Sequence, residues 1–229
     1  MEIVHFCSNY VGTKIHKNQM RSLNGFVEKQ TVIVPVYNQS HKGINNFESD
    51  EVDIRYDYIY NGFLKFFPLL KALVVFANSV CRYRNQIKES DFIYAHTLWV
   101  NGVPAYLCSI FFNKPLITSI RSTDYFVYMK RLPHYSWLMR RIIRRSQKTV
   151  FISPSYKARV LDEFSSIFED KTKCVVIPNG IDDFWINRSL LPLRTKSERN
   201  SGTVLFVGRL NKTKRPELVF EVVQENFES

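Results

Sequence analysis

Thr31-Val32-Ile33-Val34-Pro35-Val36 and Leu116-Ile117-Thr118-Ser119-Ile120 are short β-branched runs in which apolar residues follow one another with little alternation. A strand that hides only one face is apolar at every second position, whereas a strand covered on both faces reads as a near-continuous apolar run. Similar runs occupy Ile3–Cys7, Asp91–Ala95, Thr149–Ile152, Cys174–Ile177 and Thr203–Val207. Helix-period patterns lie between several of them, around Asn18–Lys29, Phe63–Val80 and Tyr135–Arg145. Strand, helix, strand in succession implies parallel pairing through crossover connections. The expected fold is therefore α/β, a Rossmann-like doubly wound parallel sheet.

The sheet pattern runs to Pro178-Asn179-Gly180-Ile181-Asp182, where turn residues interrupt it. Residues 1–186 are read as one domain and the polar, aperiodic stretch 187–202 as a linker. Thr203–Val207 opens a second Rossmann-like unit spanning 203–229. One strand, one loop and one helix cannot bury a core of their own, so this second unit reads as incomplete.

A formal net charge of +11 over 229 residues calls for an anionic partner. The charge is concentrated: from Tyr125 to Leu161 there are nine Lys or Arg and no Asp or Glu. At 100° per residue, Leu138, Met139, Ile142 and Ile143 share one helix face, and Arg140, Arg141, Arg144 and Arg145 share the other. Two readings stay open for this helix. It is either packed on the sheet with a solvated basic face or docked on anionic lipid headgroups, where each basic residue contributes about 1 kcal/mol. Phe63–Ala77, though apolar, is shorter than the roughly 20 residues of a spanning helix and contains Lys65, Pro68 and Lys71.

Cys7, Cys81, Cys108 and Cys174 form no CxxC pair, and no His stands at ligand spacing beside one, so no metal site is expected. Scattered cysteines and an N-terminus without a basic n-region or apolar h-region point to a cytoplasmic protein. No GxGxxG follows the first strand or Val207, which argues against a nicotinamide enzyme. No helix-turn-helix or RNA-binding signature accompanies the charge, so nucleic acid is not an expected partner.

In Val204-Leu205-Phe206-Val207-Gly208-Arg209-Leu210-Asn211-Lys212-Thr213-Lys214-Arg215-Pro216 a buried-type strand leads through a basic loop into a helix start. Arg209 and Lys214 would then stand at the carboxyl end of a strand, where open α/β sheets bind ligands, and two cations there suit a diphosphate. Together with Val176-Ile177-Pro178-Asn179-Gly180-Ile181-Asp182, this segment resembles family 4 retaining glycosyltransferases of the GT-B fold. Asp91-Phe92-Ile93-Tyr94-Ala95-His96-Thr97 resembles that family's strand ending in a site histidine. Leu116-Ile117-Thr118-Ser119-Ile120-Arg121-Ser122-Thr123-Asp124 resembles its next strand, and Val150-Phe151-Ile152-Ser153-Pro154-Ser155-Tyr156 the strand before the last helix of the first domain.

The resemblance implies a hexosyltransferase whose donor is a UDP- or GDP-sugar and which needs no metal or other cofactor. It implies Arg209 and Lys214 at the donor diphosphate, with Gly12 as the one remaining member of the glycine pair expected after the first strand. His96 and Asp124 would face the transferred sugar or the acceptor, a saccharide or lipid-linked saccharide in polysaccharide synthesis. With the basic helix, it implies peripheral contact with the anionic cytoplasmic face of an inner membrane. Arg215 stands where the family commonly has glycine after the lysine. A non-catalytic remnant that binds an acceptor but transfers nothing is the competing reading. Glu217, Glu221 and Glu225 mimic a Glu-x7-Glu donor motif but lie on one helix stripe, expected to face solvent.

Overall fold

A computed structural model describes residues 1–59, 64, 66–181, 205–208, 210 and 214–227. The chain divides into two compact units, Met1–Asp182 and Asp183–Ser229. The first is built on a seven-stranded sheet: β1 Glu2–Phe6, β2 Lys29–Val36, β3 Val52–Tyr58, β4 Phe92–Ala95, β5 Leu116–Ser119, β6 Ser146–Phe151 and β7 Cys174–Val176. Its order is β3-β2-β1-β4-β5-β6-β7. Every neighbouring pair is parallel.

Both faces of the sheet are covered, which accounts for the continuous apolar runs. On β2, Ile33 faces one core while Val32, Val34 and Val36 face another. The larger core lies under the helices α2 (Pro68–Arg82), α3 (Arg84–Glu89), α4 (Gly102–Phe111) and α5 (Ser136–Arg145), which contribute Val75, Ile87, Val103 and Met139 to it. The smaller lies under α1 (Lys14–Leu23), which supplies Met20. α6 (Pro154–Glu163) starts with Ser153 accepting the amide of Tyr156 and Pro154 in the first turn.

Four sequence expectations are amended. β3 was not anticipated, because Val52-Asp53-Ile54-Arg55-Tyr56-Asp57-Tyr58 alternates charge with apolar residues, as suits a sheet edge. α1 begins and ends earlier than Asn18–Lys29; Thr13 caps its start, accepting from the Ile15 amide, and the chain leaves the helix at Asn24 before Gly25 at φ +80°. α2 starts at Pro68, since proline favours the first helical turn. In the second unit, Leu205–Val207 have no strand pairing. That unit's described helix is α7, Glu217–Phe227, where Glu217 lies 3.7 Å from Arg215 and both it and Glu221 are exposed. The linker 187–202, like Thr203 and Val204, lies outside the described residues.

α5 also alters the reading of the basic region. Leu138, Met139, Ile142 and Ile143 are buried in the main core, so the helix spends its apolar stripe on the sheet. Its four arginines differ in what they do. Arg145 donates to the Ser109 hydroxyl at 3.0 Å and to the carbonyls of Ser109 and Lys114 at 3.2 and 3.3 Å, holding the carboxyl end of α4. Arg144 pairs with Glu169 at 3.3 Å, and Arg141 stacks over the half-exposed ring of Trp137. Arg140 is exposed. Among the described residues no helix is long and apolar enough to cross a membrane.

Candidate functional site

In an open parallel sheet the loops at the carboxyl strand ends part where the strand order reverses, leaving a crevice. Here the reversal falls between β1 and β4. A cavity of about 670 Å³ opens there, walled by Ser8, Asn9, Val11 and Thr13 after β1, Val36 and Tyr37 at the end of β2, Thr97 after β4, Arg121–Asp124 after β5 and Ile152 after β6. His16 of α1, Lys71 of α2, His41 and Asn179 complete the wall.

The walls are held by side chains that spend their polar atoms on backbone. Asn101, ahead of α4, accepts the Ser8 amide at 2.9 Å, while its own amide is held by Thr97 Oγ1 at 3.1 Å. Asn45, itself at φ +64°, donates to the carbonyls of Tyr10 and Thr13 at 2.8 and 3.2 Å, pinning the loop that follows β1. Gly12 lies in that loop. A Cβ on it would come within 2.6 Å of Asn9 Oδ1, so any side chain there displaces an amide from the cavity wall.

Asp124 touches the cavity, but its carboxylate is fully committed. Oδ1 accepts the Trp99 amide at 3.0 Å, and Oδ2 accepts the amides of Leu98 at 3.0 Å and Arg121 at 2.9 Å. The residue is 1% exposed, and burial lifts its pKa to about 6 against the opposing pull of these amides and of Arg121. This geometry makes Asp124 a brace that ties the end of β5 to the turn before α4. Arg121 is the cation of that segment in the cavity wall, beside Ser122 and Thr123. Its guanidinium donates to Asn179 Oδ1, and its carbonyl receives the Tyr156 hydroxyl at 2.7 Å.

His96 is fully buried and does not line the cavity. Its Nε2 lies 3.2 Å from His5 Nδ1, and its ring stacks on Tyr94 with centroids 4.4 Å apart. His16 meets it edge-on, centroids 4.8 Å apart, and it is His16 that reaches the wall. Burial lowers the pKa of His5 to about 3 and of His16 to about 4, and holds His96 well below the ordinary value. All three are therefore neutral imidazoles near pH 7. Burial raises the Cys7 thiol.

His96 and Asp124 are thus brought to one end of the sheet but beneath its surface. Sequence reading missed His16 and Arg121 as wall residues: a lone helical histidine carries no signal of its own, and Arg121 was quoted within a motif whose aspartate drew the assignment. Lys214 is exposed in the second unit, and Arg209 lies outside the described residues.

The site's donors, Arg121 and Lys71 with the polar groups of Asn9, Thr97 and Ser122, suit a ligand rich in hydroxyl or anionic oxygen. Residues 31–183 match the sequence family described as Glycosyltransferase Family 4. The chain belongs to glycosyltransferase family 4. Among solved structures, this family 4 chain is similar to MurG of Acinetobacter baumannii, with 14% identity and a TM-score of 0.47, covering 80% of this chain and 46% of that one. It is also similar to a putative UDP-N-acetylglucosamine 2-epimerase from Listeria monocytogenes, with 11% identity and a TM-score of 0.46, covering 76% and 43%. The chain thus spans about half the length of these solved structures. No curated protein matches it by sequence.

Proposed function

We propose that this chain forms the acceptor side of a retaining glycosyltransferase that moves a hexose from a UDP- or GDP-sugar to a saccharide acceptor in polysaccharide synthesis. The observation that carries the reading is the cavity at the β1/β4 reversal, with Arg121 and hydroxyl-bearing side chains in its wall, in a chain of family 4. Breaking a sugar–diphosphate bond leaves charge on the departing phosphate, and fixed cations and helix N-termini stabilise it. The amino end of α1, at Thr13 and Ile15, borders the cavity from this chain's side. Arg209 and Lys214, at the opening of a donor-binding domain, are assigned to the diphosphate. No metal takes part in this leaving-group chemistry.

The test is transfer from nucleotide sugars by a protein with a complete second domain. Arg209→Ala with Lys214→Ala abolishes it, and unchanged turnover in that double variant rejects the assignment. Residues 1–229 alone are expected to transfer nothing; sugar transfer by them would show that the described cavity suffices.

The acceptor is assigned to the lipid-linked class because of the charge on α5. With its apolar stripe buried, α5 meets a cytoplasmic membrane face through charge, Arg140 and Arg141 leading, with Trp137 at the interface. Co-sedimentation with acidic vesicles that weakens as salt rises supports this, since the screening length falls from about 10 Å at 0.1 M to about 3 Å at 1 M. Equal binding to neutral vesicles rejects it.

A further inference from the structure

The alternation of β1 and β4 puts His5 and Cys7, Tyr94 and His96, on the sheet face that α1 covers. Strand pairing sets His5 opposite Tyr94, and α1 lays His16 over His96. Residues 89 positions apart in sequence thereby become neighbours, which linear spacing around the cysteines does not reveal. Cys7, His16 and His96 each present one ligand atom, and these atoms lie within 4.8 Å of one another.

We propose that Cys7, His16 and His96 form a buried zinc site beneath the cleft, at whose wall His16 stands. Two independent features support a ligand here. First, His16 Nδ1 and His96 Nδ1 are enclosed and have no hydrogen-bond partner, although the residues are 4% and 0% exposed. A buried polar nitrogen left unpaired is unfavourable, and a metal ion relieves that cost at both rings.

Second, a buried neighbour stands where the ligating tautomer of His96 needs an acceptor. Gln30 uses its amide NH2 to donate to the Met20 carbonyl and Asn24 Oδ1, both at 3.0 Å. Its oxygen, like His5 Nε2, is buried without a hydrogen-bond partner. His5 Nδ1 lies 3.2 Å from His96 Nε2, and when His96 supplies the hydrogen of that contact its Nδ1 lone pair is left to bind metal. A neighbouring acceptor of this kind is how a second shell orients a ligating histidine.

Zinc bonded at about 2.3 Å to sulfur and 2.0–2.1 Å to nitrogen closes such a triangle by about 1 Å, within reach of side-chain rotation. Binding releases the Cys7 thiol proton to solvent and leaves a thiolate. The Arg121 charge near Cys7 favours that thiolate and also opposes a cation. Cys7 with two imidazoles is the borderline-soft set that suits zinc over magnesium or calcium.

The experiment uses cobalt(II) as a spectroscopic stand-in on the chain carrying Cys81→Ser, which removes the exposed thiol. A stoichiometric thiolate-to-cobalt charge-transfer band, abolished by Cys7→Ser and displaced by zinc, is expected. His16→Ala should weaken zinc binding at least tenfold, and His5→Phe, which removes the contact to His96 Nε2, by about 10–100-fold. No band, or a band that survives Cys7→Ser, overturns the proposal. Should those variants fail to fold, the unsubstituted chain decides it: zinc must shift the imidazole nitrogen resonances of His16 and His96 while leaving His41 and His134 in place. Five unmoved histidines, or a shift confined to His41 and His134, also overturns it.

Discussion

Strands β4 and β5 lie side by side, with Ala95 opposite Thr118, and both run out into the same cleft. The residues that follow them do opposite work. After β4, His96 turns under the sheet and is sealed there. After β5, Arg121 turns into the cavity and Asp124, three residues on, turns back to hold the backbone. Position at a strand end therefore locates a site without saying which side chain faces it. The face is decided by strand alternation and by which backbone amides lack partners; the amides of Leu98, Trp99 and Arg121 claim Asp124.

The contrast is sharpest in function. Arg121→Ala is expected to lower sugar transfer by about 100-fold, the scale for losing a preorganised charge-stabilising donor, while shifting stability little. Steady-state kinetics with thermal melts check this. A variant that melts early but transfers normally would reverse the roles given to Arg121 and Asp124.

Asp124→Asn is the complementary break. Two oxygens now take three amides, and an amide NH2 in place of one sets donor against donor. A loss of about 1–3 kcal/mol is expected from denaturant titration. The carboxyl also has a pH signature. Its folded pKa of about 6 is above the ordinary carboxylate value of 3.8, so between these pH values the folded state keeps a proton that the unfolded state has released. Its contribution is fully present below about pH 4 and is lost as pH rises through 6, on the order of 3 kcal/mol in all. The stability of the unsubstituted chain relative to Asp124→Asn should accordingly fall across that window and level off above it.

The same contrast recurs, more weakly, along α5. Arg145→Ala removes three hydrogen bonds to the end of α4 and should cost about 1 kcal/mol with acidic-vesicle binding retained. Arg140→Gln with Arg141→Gln should change stability by no more than about 0.5 kcal/mol and reduce vesicle binding. Equal effects of the two on melting would erase the distinction between bracing and surface arginines.

The parallel sheet was legible because strands buried on both faces leave few polar residues in their runs, as Ile33 faces one core and Val32, Val34 and Val36 the other. β3 was illegible for the converse reason: at the sheet edge Asp53, Arg55 and Asp57 are tolerated, and Asp57 turns inward to accept from Tyr83 at 2.6 Å and Arg82 at 2.8 Å. The stripe Leu138, Met139, Ile142 and Ile143 was read correctly as one face, but a pattern cannot say whether sheet or lipid covers it. The cleft's location follows from strand order, which only the folded sheet supplies. His16 had no sequence signature, because its significance arises only when α1 folds over β4.

The place of β1 in the centre of the sheet has a kinetic consequence. β1 is made before both of its neighbours, yet one of them, β4, ends at Ala95, and the Glu2 amide bonds Asp91 across 89 residues. Non-local pairing of this kind closes a long loop before it gains a contact, which slows folding. During synthesis β1 can pair first only with β2, through the short crossover formed by α1, so its other edge stays open until β4 has left the ribosome. At about 5–20 residues per second that wait lasts several seconds, during which Ile3–Cys7 is the edge most in need of a chaperone.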